Sequence, residues 1–105
     1  MQYSWNIEQI EVCPEKDGKQ NIVAYVFWKL TAEDGQFTSS HYGSSFIPFD
    51  KDGEFTDYNK LTKDEIVGWV KEVIGDYEIS NLEKMLSESI DSLKNPPTVI
   101  LPLPW

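Results

Sequence analysis

Four groups of side chains in this sequence could do chemistry: the single histidine His41, the single cysteine Cys13, the run Asp50-x-Asp52-Gly53, and the serines Ser39, Ser40, Ser44 and Ser45. A histidine acting as a general base needs a nucleophile or carboxylate within reach, and a metal-bound one needs further ligands at strand or helix spacing. Neither stands beside His41, so a structural role is the better reading. Cys13 precedes Pro14 at the end of an apolar alternation. With no lysine or helix N-terminus expected beside it, its thiol reads as inert. The aspartates around Gly53 resemble the start of a calcium loop, but glycine at the sixth position puts Pro48 first and Asn59 twelfth, where Asp and Glu are required. A plain turn is favoured there. The serines lack a G-x-S-x-G setting, and no glycine-rich phosphate loop is present. We therefore expect no catalytic residues, no cofactor and no metal, and a chain that is not an enzyme.

Composition narrows the class further. The 105 residues fit one domain, with 40% hydrophobic, 13% aromatic and 26% charged residues, as in ordinary globular proteins. A chain of this size removes roughly 60 to 70% of its unfolded surface from water, enough for a core without disulfide staples. One cysteine cannot close an internal bridge, no N-x-[ST] site is present, and residues 1–6 lack a basic start and apolar run. Secretion is not expected, and no stretch is apolar enough to span a bilayer. The formal net charge is −9, and all nine basic residues are lysine. Phosphate neutralisation drives most nucleic-acid binding and the guanidinium is its usual reader, so direct nucleic-acid binding is not expected.

The elements that would position these side chains follow from periodicity. Tyr3, Trp5 and Ile7 alternate, then Ile10 and Val12 continue on the opposite parity, which predicts a first strand over 3–12 with a bulge near Glu8 and Gln9. Turn residues over 13–20 predict a hairpin loop. A second strand over 21–32 carries Ile22, Ala24, Val26, Trp28 and Leu30 on one face and Val23, Tyr25 and Phe27 on the other. A strand apolar on both faces is central and covered twice, or covered once and packed on a partner. Asp34-Gly35 is a strong hairpin signal leading to a serine-rich third strand over 36–47, read as an exposed edge ended by Pro48.

The helices are legible from caps and stripes. Leu61-Thr62-Lys63-Asp64-Glu65-Ile66 predicts a capping box between Thr62 and Glu65, with Leu61 stapled on Ile66. A first helix from Lys63 then shows Ile66, Trp69, Val70, Val73 and Ile74 in one stripe, stopped by Gly75. A second helix, capped by Asp76 or Ser80, carries Ile79, Leu82, Leu86, Ile90 and Leu93 on one face and ends at Asn95-Pro96-Pro97. The expected architecture is α+β, a three-stranded antiparallel meander packed by two C-terminal helices, or four-stranded if the C-terminal arm joins the sheet. The single domain covers 1–95 (sheet 1–48, loop 49–61, helices 62–94), and a proline-rich apolar arm covers 96–105.

That arm, Thr98 to Trp105, cannot be helical and costs little entropy to fix in extended form. It either lies on its own domain or inserts into a neighbouring molecule. Trp5, Trp28 and Trp69 read as core, whereas Trp105 is an interface anchor or a docked plug. The interaction candidates are Trp105, Leu103 and Leu101 on the arm and Tyr25 and Phe27 on the second face of the central strand.

The set Trp28-Lys29-Leu30, Asp34-Gly35, Tyr42-Gly43, the stretch Leu61 to Val70, and Asn95-Pro96-Pro97-Thr98 leading to Pro102-Leu103-Pro104-Trp105 resembles a family of small tailed-phage proteins, including marine phages, of unknown function. The resemblance covers nearly the whole chain. It implies a phage origin and one domain, and supplies no activity or functional residue. The expectation is a non-enzymatic interaction protein, a minor virion or assembly component, in the host cytoplasm or virion. Its partner is protein: itself as a homo-oligomer, another phage protein or a host protein. The alternative is an acidic DNA mimic that inhibits a host nuclease or polymerase. Against that alternative, the acidic residues divide with length, ten in residues 1–60 and eight in 61–105.

Overall fold

Strands β1 (Gln2–Lys16), β2 (Lys19–Glu33) and β3 (Thr38–Phe46) form one antiparallel sheet in the order β1-β2-β3. A single 3-10 turn (Tyr58–Lys60) and helices α1 (Lys63–Ile74) and α2 (Asp76–Lys94) follow. The computed structural model describes residues 1–49 and 55–105. Asp50, Asp52 and Gly53, read above as a turn, lie outside the described residues. The α+β meander with two C-terminal helices is the architecture predicted from sequence. The four-stranded alternative is not adopted: the sheet has three strands, and residues 95–105 are exposed along their whole length.

The first hairpin is longer and tighter than its turn residues suggest. The ladder continues to Lys16 paired with Lys19, leaving a two-residue turn at Asp17 and Gly18, both at positive φ (50° and 80°). That geometry matches the twist of two antiparallel strands, and glycine takes it without a Cβ clash. Asp34-Gly35 does open the second hairpin, but in a longer loop. Asp34 Oδ1 accepts from the backbone N–H groups of Gln36 (2.9 Å) and Phe37 (2.8 Å), and Asp34 N–H donates to the Phe37 carbonyl. The third strand consequently begins at Thr38, two residues later than expected.

Two register shifts set which side chains face inward. One falls between Ile7 and Gln9, where the parity change predicted a bulge, and turns Ile10 and Val12 to the same face as Tyr3, Trp5 and Ile7. The other, opposite Glu11 and Val12, leaves Ala24 without a partner and brings Val23 into the core. Val23 was expected on the outer face, and this bulge is the reason it is not. The inward row of β2 becomes Val23, Val26, Trp28, Leu30 and Ala32, all buried.

Trp28 is the hub of that row. Its ring lies 5.2 Å from Trp5 and 5.8 Å from His41, and its indole N–H donates to Ser45 Oγ at 3.0 Å. Ser45 is buried, so the reading of every β3 serine as edge decoration fails at this position. Gly43, paired with Trp28 across the ladder, makes room for the indole: a Cβ there would sit 2.3 Å from the ring.

Both helices cover this one face. Thr62 caps α1 by accepting from Glu65 N–H at 3.3 Å. The Glu65 carboxylate accepts from the Thr62 hydroxyl at 3.3 Å, in place of the expected bond from the Thr62 backbone N–H. Ile66 and Val70 are buried, Trp69 and Ile74 partly so, and Val73 is 43% exposed. The stripe anchors the helix through two side chains instead of five, worth roughly 3 to 6 kcal/mol as an upper bound against about 1 for the cap. Gly75 alone joins the helices, at φ 87°. It accepts from Ile79 N–H, so α2 starts at Asp76 with no side-chain cap from Asp76 or Ser80. Leu86 and Ile90 are fully buried, whereas Leu93, expected on the same face, is exposed.

We predict that Gly43→Ala lowers stability by about 1 to 3 kcal/mol, the usual cost of forcing one extra group into a packed core. A shift in the urea midpoint relative to the unaltered protein measures it. An unchanged midpoint would show that the Trp28 ring is free to move aside.

Candidate interaction site

Helices cover one face of the sheet and leave the other open. On the open face Tyr25 pairs with Phe46, their rings 5.4 Å apart edge to face, and Lys29 lies 5.4 Å above the Tyr42 ring. Phe27 stands between Gln9 and Ser44 and is half-buried. Thr31 and Ser40 share a hydroxyl hydrogen bond at 3.0 Å. Tyr25, Tyr42 and Phe46 are exposed. Tyr25 and Phe27 were candidates from sequence; Tyr42 and Phe46 were missed because their strand reads as serine-rich. Their shared parity on a strand ending at Pro48 was the signal.

The second surface is the arm. Ile100 is 100% exposed and Trp105 91%, and Val99, Leu101 and Leu103 are exposed as well. Of the two positions expected for the arm, docking on its own domain is not observed. The molecule extends 73 Å along its longest axis, beyond the roughly 50 Å of a 15-residue strand.

The root of the arm is fixed by an ion pair. Lys94, the last residue of α2, binds the Asp34 carboxylate in the β2–β3 turn. Among the described residues Asp34 Oδ2, which is buried, has no other hydrogen-bond partner, and Lys94 is its counter-group. The ammonium, then the N–H groups of Phe37 and Gln36, hold the Asp34 carboxyl well below the usual carboxylate range, and Asp34 in turn raises Lys94.

The third surface is a groove of about 530 Å³ at the far end of the sheet, lined among the described residues chiefly by Ile22, Ile47, Phe49, Phe55, Trp69 and Val73. Lys19 lies 5.8 Å from the Phe49 ring and 5.9 Å from that of Phe55. Trp69, read as core, forms one wall of the groove. This site is not visible in the sequence, because its described walls come from five separated segments.

Neither residue that could do acid-base or thiol chemistry joins a constellation. His41 packs against Trp28 on the covered face, and the Cys13 thiol donates to the Glu15 carbonyl at 3.4 Å. Among the described residues no three His, Cys, Asp or Glu side chains come together to hold a metal, and no helix is long and apolar enough to cross a membrane. What the surfaces offer is apolar and aromatic contact, the material of protein recognition.

Sheet, helices and surfaces thus define an open-faced α+β module: three strands, two helices on one side, and a free apolar arm. The chain belongs to the family described as domain of unknown function (DUF7936), which spans residues 1–105. No curated protein and no solved structure matches it.

The clasp has a pH signature. Asp34 is lowered from its ordinary 3.8, so its contribution to stability is present in full above that value and is lost as pH falls through the folded value. Lys94 is raised above 10.5, so on the alkaline side the contribution holds below 10.5 and is lost as pH rises through the folded value. The gap in urea midpoint between the protein and Asp34→Asn should be widest between about pH 5 and 9 and close below about pH 4. A gap that does not vary with pH would mean the pair is fully screened.

Proposed function

We propose that this chain is a non-enzymatic protein-interaction module that self-associates, serving a tailed phage as a minor virion or assembly component in the host cytoplasm or the particle. The observation that carries the reading is the arm: from Asn95 to Trp105 it holds no ionisable side chain, and its five large apolar residues stand in solvent. Contiguous apolar surface of this kind marks an interaction site in soluble proteins, and a proline-stiffened segment loses little entropy on docking. Tyr25, Phe27, Tyr42 and Phe46 support the same reading by leaving an aromatic face uncovered. The phage setting rests on the resemblance of the motif set described above.

Light scattering at high micromolar concentration tests the proposal. A mass above that of one chain is expected. A strict monomer, with the fluorescence of Trp105 shielded from an aqueous quencher, would overturn it.

A further inference from the structure

We infer that the groove between α1 and the β1–β2 end of the sheet receives the arm of a second copy, so that molecules join head to tail. This rests on the self-association reading above and names its contact.

Reach argues for a second copy over the molecule's own arm. The arm starts at the Asp34–Lys94 clasp, whereas the groove is built around Ile22, at the other end of β2. The stretch of strand from Ile22 to Asp34 covers about 40 Å. In polyproline form the chain from Asn95 extends about 34 Å at its tip and only about 20 Å at Leu101. At Leu101 the arm is well short of its own groove, and residues 95–105 are exposed and not laid back over the body.

Charge argues for this pair of surfaces. Each copy carries −9, so contact between two bodies brings like charges together. The arm carries no ionisable side chain, and among the described residues lining the groove the charged one is Glu72, with Lys19 beside the Phe49 and Phe55 rings. Contact here avoids most of that repulsion. The groove volume also lies in the range that takes a few large side chains, such as Leu103 and Trp105.

Arm and groove are different surfaces at opposite ends of one molecule. Their contact is therefore heterologous, and it generates chains or rings instead of a two-fold dimer.

Two full-length variants test this, both at exposed positions: Val73→Glu, which puts a charge into the groove, and the double variant Leu103→Asp, Trp105→Asp, which spoils the arm. Identical circular dichroism spectra establish that both fold. In sedimentation velocity the unaltered protein should grow with concentration past the dimer, and each variant alone should associate at least about tenfold more weakly. An equimolar mixture of the two holds one good arm and one good groove, so it should form a one-to-one complex that grows no further. Variants that assemble like the unaltered protein, or a mixture that stays monomeric, would overturn the inference while leaving self-association standing. An unaltered protein that is monomeric throughout overturns both.

Discussion

The fold is arranged around β2, a 15-residue strand with apolar side chains on both faces and a helical cover on only one of them. Its inward row, Val23 to Ala32, is removed from water by two helices that have little else to hold them in place. Leu30 and Val26 share one core cluster with Val70, Leu86 and Ile90, and these five are the largest fully buried side chains among the described residues. Burial of that row is worth several times any single cap or ion pair, so the helices are consequences of the strand more than independent units. The same strand presents Tyr25 and Phe27 to its other face, where no helix follows.

How much of this was legible depends on how far apart the cooperating residues lie. The change of parity between Ile7 and Ile10 identified a bulge, and Thr62 with Glu65 marked the first residue of α1, because each signal is carried within a few positions. Strand ends were harder: Asp17-Gly18 makes a two-residue turn only because β1 and β2 keep pairing up to it. Gly43 looks like any strand glycine until Trp28 lies across it from the neighbouring strand. The Asp34–Lys94 pair and the groove were beyond sequence reading altogether, since tertiary packing alone brings those residues together. The open aromatic face was half legible, through Tyr25 and Phe27 but not Tyr42 and Phe46.

The distribution of charge gives the molecule its character. An acidic body is soluble and repels its own copies, and on such a body uncharged surface is where contact costs least. The clasp between Asp34 and Lys94 ties the last residue of α2, from which the arm leaves, to the β2–β3 turn.

The two bulges of the first hairpin have a consequence of their own. Glu8 is the extra residue in β1 and Ala24 the extra residue in β2, so each offset undoes the other. Before the first and after the second, partners match as they would in an unbroken ladder, and only the short span between them is displaced. That displacement puts Ile10 opposite Val26 instead of Tyr25, turning an isoleucine indoors. Neither extra residue is paired across the hairpin, so losing one would straighten its own strand and leave the Asp17-Gly18 corner in register; the two bulges govern how the strands bend, and not where the hairpin closes.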